Sequence, residues 1–237
     1  MNIAAIFAGG VGSRMSSAGL PKQFLEIHGT PLIVHTIQHF QDHPEIDRIA
    51  VSILPEWRER FARLVARYEL TKVNWIVDGG ATGQESRHRA LRAIANDSPP
   101  DSVVLLHDGV RPLINADLIS DNIRTVRESG PAITTTKFNE TAVASSDGLV
   151  DDVYPRDNLY VAQAPQSALL STALDVYDRA VADGENDSID TCSLLRRYGH
   201  TLHRVDGPRS NIKITTAEDY YICRAFFDVL EHRQIGG

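Results

Sequence analysis

The run Ile3 to Ala8 is apolar at every position and ends on Gly9, Gly10 and Gly12. A strand with one wet face alternates polar and apolar residues, so an unbroken run is expected of a central parallel strand covered on both faces. Such a strand needs helices on either side of its sheet, and the following segments supply them. Pro31 opens a segment in which Leu32, Ile33, Ile37 and Phe40 share one helical face, with the proline at a favoured first-turn position. Ile49 to Leu54 reads as the next strand and Glu56 to Tyr68 as a charged amphipathic helix. Asn74 to Val77 reads as a third strand closed by Asp78-Gly79-Gly80, and Ser86 to Ala95 as a helix broken by Pro99-Pro100. Ser102 to Leu106 is the clearest strand and delivers His107-Asp108-Gly109 to a strand end; Asn115 to Ser129 follows as a helix. This alternation predicts an α/β fold with a single doubly wound, mostly parallel, Rossmann-like sheet.

The pattern changes after Gly130. Residues Pro131 to Tyr160 are rich in Thr, Val and Tyr, with a hairpin turn at Asp147-Gly148, and read as a β-arm projecting from the sheet. An arm of this kind buries little by itself, so a homodimer that packs on it is expected. Leu169 to Ala182 and Ile189 to Tyr198 read as helices, Thr201 to Val205 as a strand and Asn211 to Thr215 as a short extended piece. Thr216 caps the last helix with Asp219 in a capping-box arrangement. No repeat or linker divides the chain, so residues 1–237 are expected to form one domain with 131–160 as its arm.

A net charge of −7 argues against general nucleic-acid binding, which needs a basic face, but a few cations focused in one cleft can still hold phosphates. Two cysteines, Cys192 and Cys223, lack metal-ligand spacing and suit a reducing compartment. The first residues lack a basic region, and no apolar stretch approaches the roughly 20 residues of a membrane span. A cytoplasmic protein is expected, with no membrane partner.

The loop after the first strand lies where open α/β sheets place ligands. Its glycines alone fit either a turn needing positive φ or a cradle of backbone N–H groups around an anion. Arg14 and then Pro21-Lys22-Gln23 favour the anion. A dinucleotide fingerprint fails because Met15 follows where a third glycine belongs and the second strand runs into Leu54-Pro55 rather than an acidic residue. That removes an NAD(P)-dependent oxidoreductase. A P-loop fails for want of Gly-Lys-Ser/Thr.

Ala8-Gly9-Gly10-x-Gly12-x-Arg14-Met15 with Pro21-Lys22-Gln23-Phe24 resembles the signature of sugar-phosphate nucleotidyltransferases. Further blocks narrow the resemblance to cytidylyltransferases acting on 2-C-methyl-D-erythritol 4-phosphate or ribitol 5-phosphate. They are Asp78-Gly79-Gly80, His107-Asp108-Gly109-Val110-Arg111-Pro112, Pro155-Arg156-Asp157-Asn158-Leu159-Tyr160, Ala164-Pro165-Gln166-Ser167 and Asn211-Ile212-Lys213-Ile214-Thr215-Thr216. Val34-His35-Thr36-Ile37, Pro55-Glu56-Trp57, the Pro155 to Tyr160 block and the Thr215-Thr216 pair look more like the ribitol-phosphate branch, as does Ser210, where the methylerythritol branch more often has Asp.

The resemblance implies an Mg²⁺-dependent transfer of a cytidylyl group from CTP to D-ribitol 5-phosphate. The loop residues Ala8, Gly9, Gly10, Gly12 and Ser13 would wrap CTP. Arg14 and Lys22 would hold its triphosphate, with Lys213 at the α-phosphate; these three are the candidate catalytic residues. Gly79, Gly80 and Ser86 would read the cytosine and ribose, and Asp108 would bind the metal. Arg111, Thr141, Arg156 and Asp190 would bind the alditol phosphate, with Thr141 and Arg156 reaching in from the partner's arm. The plain alternatives are a turn-forming Asp108, solvated Lys213 and Arg156, and Asp190 as a helix N-cap. His35 and His39 have a metal-compatible spacing without a third ligand, so surface or core histidines are favoured.

Two departures from the family pattern stand out. Relatives often carry an acidic residue and an arginine soon after the paired glycines, where this chain has Ala81-Thr82-Gly83; Arg87 or Arg89 are the available substitutes. Ala164 stands where threonine is usual. The missing arginine supports a rival reading as a catalytically silent nucleotide-binding protein, and Lys22, Asp108 and Lys213 oppose it.

Overall fold

The computed structural model describes residues 1–9 and 20–235. Strand β1, Asn2–Ala8, sends Ile3 and Ala5 into one apolar layer and Ala4, Ile6 and Ala8 into the other, which is why its sequence shows no polar alternation. A two-residue pair, β2 (Glu26–Ile27) and β3 (Thr30–Pro31), leads into helix α1, Leu32–Asp42. Strand β4 (Arg48–Ile53), helix α2 (Arg58–Arg67), strand β5 (Val73–Asp78) and helix α3 (Gly83–Ala95) follow. Strand β6 (Val103–Asp108), helix α4 (Ala116–Glu128) and strand β7 (Ala132–Lys137) come next. The hairpin of β8 (Ala142–Ser146) and β9 (Leu149–Tyr154) precedes strand β10 (Tyr160–Leu169). Helices α5 (Leu170–Ala182) and α6 (Thr191–Arg197), strand β11 (His203–Asp206) and helix α7 (Ala217–Ile235) complete the chain.

The seven-stranded sheet has the order β11-β7-β10-β6-β1-β4-β5. Every neighbouring pair is parallel except those made by β10, which runs antiparallel to β6 and β7. Helices α1, α2 and α4 cover one face through Ile33, Ile37, Phe40, Phe61 and Leu118; α3, α5 and α6 cover the other through Leu91, Ile94, Val176, Tyr177 and Leu195. This is the expected doubly wound α/β sheet.

The arm is narrower than the expected span of 131–160. Ala132–Lys137 and Tyr160–Leu169 pair with each other inside the main sheet, leaving the β8–β9 hairpin as the projecting part. Their Thr- and Ala-rich composition fits a buried strand as well as an exposed one. Pro165 also disguises β10, but it sits where the pairing with β7 shifts register between Ala162 and Gln166, so its missing N–H removes no regular ladder bond. Asp147 (φ 52°) and Gly148 (φ 81°) both adopt the left-handed conformation that a tight two-residue hairpin needs. Asn211–Thr215, expected to be extended, forms no strand. No helix among the described residues is long and apolar enough to cross a membrane.

Candidate active site

Strands β1 and β6 are neighbours, so Ala8-Gly9 and Asp108-Gly109 emerge side by side at their carboxyl ends. The Gly109 N–H donates to the Phe7 carbonyl at 2.9 Å, and a Cβ on Gly109 would lie 3.2 Å from that oxygen. The close approach is what glycine permits there. Buried Gln23 donates its Nε2 to the Ala8 carbonyl at 2.7 Å, at the end of β1. Lys22 stands beside it on a single 3₁₀ turn anchored by fully buried Phe24.

The second wall comes from the turn between β5 and α3. Thr82 caps α3 by accepting from the Glu85 N–H at 3.1 Å. Ser86 Oγ donates to the Thr82 carbonyl at 2.9 Å and accepts from the Gly80 N–H at 2.9 Å. A Cβ on Gly79 would lie 3.5 Å from both the Ile53 carbonyl and Ser86 Oγ, and one on Gly80 would lie 2.5 Å from Glu85 Cγ. Packing against α3 therefore excludes a side chain at Gly80, while one at Gly79 would meet β4 and Ser86 at ordinary contact distance.

Lys213 arrives from the far end of the chain. Ile214, fully buried with Ile27, Leu32, Val110, Leu113 and Cys223, donates its N–H to the Val110 carbonyl at 3.0 Å. That anchor puts Lys213 Nζ 2.9 Å from Asp108 Oδ1. Arg111 Nε donates to Asp108 Oδ2 at 2.9 Å while its Nη1 donates to the Asn211 carbonyl at 2.8 Å. Burial alone would raise the Asp108 pKa, but the two cations and their hydrogen bonds outweigh it and hold the carboxyl well below its ordinary range. Beneath them His107, buried in the sheet, donates Nε2–H to the Arg111 carbonyl at 3.1 Å. Burial lowers its pKa to about 4, so it stays neutral.

Two cavities open on either side of this group. One, of about 380 Å³, is lined by Gly9, Lys22, Gly80, Thr82, Gly83 and Ser86. The other, of about 290 Å³, is lined by Arg111, Gln163, Gln166, Asp190 and Thr191. Phe7, Arg87, Asp108 and Lys213 line both. Asp190 has both roles open to it in the sequence: Oδ1 accepts from the Ser193 N–H at 2.7 Å as the α6 cap, and Oδ2 accepts from Gln166 Nε2 at 2.9 Å on the cavity wall.

Of the sequence-predicted residues, Ala8, Gly9, Lys22, Gly80, Ser86, Asp108, Arg111, Asp190 and Lys213 line one or both cavities, with Gly79 behind Gly80. Gly10, Gly12, Ser13 and Arg14 lie outside the described residues. Thr141 and Arg156 are exposed at the base of the hairpin and line neither cavity of their own chain. His35 and His39 donate to the Ile27 and Pro112 carbonyls at 3.0 and 2.8 Å, ordinary half-buried histidines. Sequence reasoning gave no role to Gln23, Gln163 or Thr191, and named Arg87 only as a substitute.

No three His, Cys, Asp or Glu side chains among the described residues converge as metal ligands. A Mg²⁺ that arrives with phosphates needs only one or two carboxylates. Asp108, an ionised hard-oxygen donor whose side chain is 26% exposed between the two cavities, fits that need.

Comparison with known proteins shows the family. The family model for 2-C-methyl-D-erythritol 4-phosphate cytidylyltransferase (IspD) matches residues 2–228. A ribitol-5-phosphate cytidylyltransferase of Streptococcus agalactiae is 46% identical over 100% of both chains. A 2-C-methyl-D-erythritol 4-phosphate cytidylyltransferase of Geobacillus kaustophilus is 33% identical over 94% of this chain and 95% of its own. The crystal structure of 4-diphosphocytidyl-2C-methyl-D-erythritol synthase from Anaerococcus prevotii superposes with a TM-score of 0.81 at 28% identity, covering 96% of each chain. The chain thus belongs to the IspD family of cytidylyltransferases, which are nucleotidyltransferase enzymes.

Proposed function

We propose that the protein transfers the cytidylyl group of CTP to D-ribitol 5-phosphate, giving CDP-ribitol and pyrophosphate. The observation that carries this reading is the pair of cavities meeting at Asp108 and Lys213, one walled by the glycine turns and Lys22, the other by Arg111 and Asp190. The full-length identity to a protein named for ribitol 5-phosphate supports that acceptor over methylerythritol phosphate.

In the transfer, an acceptor phosphate oxygen forms a bond to the α-phosphorus of CTP. The bond from that phosphorus to the bridging oxygen breaks, and its electron pair leaves on pyrophosphate. A phosphate monoester has a second pKa of about 6, so the attacking oxygen is already ionised and no general base is required. The barrier lies in joining two polyanions and stabilising the leaving group. Lys213 stands where the cavities meet and would stabilise charge at the α-phosphate; Lys22 would hold the β- and γ-phosphates together with Arg14. A divalent cation held by Asp108 would neutralise the triphosphate. Arg111, already oriented by Asp108 and Asn211, would meet the acceptor phosphate.

The exposed hairpin residues Val143, Leu149, Val150, Val153 and Tyr154 are apolar surface suited to a second copy of the chain. Such a homodimer would bring Thr141 and Arg156 of one protomer to the acceptor cavity of the other. Pyrophosphate release measured with CTP and each alditol phosphate tests the reading. Turnover with ribitol 5-phosphate far above methylerythritol 4-phosphate is expected; the reverse preference would overturn the choice of acceptor.

A further inference from the structure

Arg87 sits on the second turn of α3 and lines both cavities. Its guanidinium is held at two corners. Nε donates to the Tyr177 hydroxyl at 2.8 Å, and Nη2 donates to the Ser188 carbonyl at 2.8 Å and the Ile189 carbonyl at 3.4 Å. Tyr177 is itself fully buried and bonded to Thr191 Oγ1 at 2.8 Å, so the tether is rigid.

All three of these partners are neutral. Neighbouring arginines of the same helix find carboxylates, Arg89 on Glu85 and Arg92 on Asp178, whereas Arg87 forms no ion pair among the described residues. Asp190 shares its cavity but directs its two oxygens to Ser193 and Gln166. A half-buried guanidinium held in place without a counter-charge is costly unless a ligand supplies one.

The remaining corner says which ligand. Nη1 has no hydrogen-bond partner among the described residues, and it lies 3.4 Å from the position a Cβ would take on Gly83, with Cζ and Nη2 at 3.8 Å. The guanidinium therefore covers Gly83, which belongs to the cavity of Lys22 and Ser86, while its occupied corners face the 188–191 segment of the other cavity. Arg89, the other substitute, bonds to the Gly79 carbonyl and Glu85 and lines neither cavity.

We infer that Arg87 is a nucleotide-binding residue, its unpartnered Nη1 lying against Gly83 on the wall of the Lys22 and Ser86 cavity. This deepens the CTP-dependent reading above and rests on it.

Calorimetric titration with CTP alone tests the assignment apart from the acceptor. Arg87→Ala is expected to weaken CTP binding by about tenfold or more, the loss typical of a charge-assisted hydrogen bond, with Arg87→Lys intermediate. Gly83→Leu leaves the tethers intact but covers Nη1, and is expected to weaken CTP in the same direction; it serves if Arg87→Ala misfolds. In steady state, KM for CTP rises while KM for the alditol phosphate stays within about twofold. Unchanged CTP affinity in both variants overturns the assignment. So does an equal rise of both KM values with a lowered thermal midpoint, which marks a tether alone. Wild-type protein that binds CTP no better than other triphosphates sinks the functional reading instead.

Discussion

Lys213 Nζ stands 2.9 Å from Asp108 Oδ1, joining side chains 105 residues apart at the meeting point of two cavities. The contact is made by a flexible ammonium that is 44% exposed and a carboxylate that is 26% exposed, so it contributes little to stability. Its value is positional. Lys213→Ala is expected to lower kcat by about a thousandfold with the thermal midpoint nearly unchanged, since a preorganised charge acts mainly in the transition state. Single-turnover rates and a thermal melt check both halves of that statement; a large loss of melting temperature with modest loss of rate would assign Lys213 to the fold.

The buried anchor beside it behaves in the opposite way. Ile214→Ala is expected to cost about 2–4 kcal/mol, as for other large-to-small changes in a packed core. It also releases the 211–216 segment that carries Lys213, so kcat falls in the folded fraction. Urea denaturation gives the first quantity and rate per folded molecule the second. A destabilised variant with wild-type kcat would show that Lys213 finds its place without this anchor.

Arg156→Ala is expected to raise KM for the alditol phosphate by about tenfold with KM for CTP little changed. Because Arg156 lies outside its own chain's cavities, subunit mixing is the sharper measurement. Mixed dimers of Arg156→Ala with Lys213→Ala contain one site with both residues intact and, assayed with the alditol phosphate well below its wild-type KM, should turn over faster than either parent. Parents that fail to complement would place Arg156 in cis or away from the site.

Acid stability follows from His107. Its pKa is lowered from 6.5 in an ordinary environment to about 4 by burial, so the unfolded chain takes up a proton first as the pH falls. The stability tied to the neutral ring is complete above pH 6.5 and is lost on descent towards pH 4, amounting to about 3 kcal/mol. Asp108, held below its ordinary value, adds a loss of the same sign below about pH 3.8. His107→Gln should flatten the urea midpoint between pH 6.5 and 4; an unaltered slope would mean that other groups control it.

The doubly wound sheet is legible because β1 has to be apolar on both faces, and Ile3, Ala5 and Ile6 report that directly. The placements of β7 and β10 are not. Thr134, Thr135 and Ser167 are buried yet polar, satisfied by long-range bonds such as Thr134 to the Pro165 carbonyl, which no local pattern displays. At the site, residue types and family motifs select Lys22, Asp108 and Lys213, but their convergence depends on strand order and on the Ile214 anchor. Arg87 is harder still. A charged residue one turn into an amphipathic helix looks solvated until Tyr177 and the 188–189 carbonyls are seen to hold it inward.

The paired departure of the hairpin from the sheet has a practical consequence. Lys137 at the end of β7 lies directly opposite Tyr160 at the start of β10, so everything between them hangs from one doorway in the sheet. A segment hung this way is a replaceable cassette. Lengthening, trimming or exchanging it leaves the register of β1, β4 and β6 untouched, and with it the nucleotide half of the cleft. On the proposed dimer, swapping this one module would alter acceptor range and subunit pairing together, while the machinery proposed for the triphosphate would stay fixed.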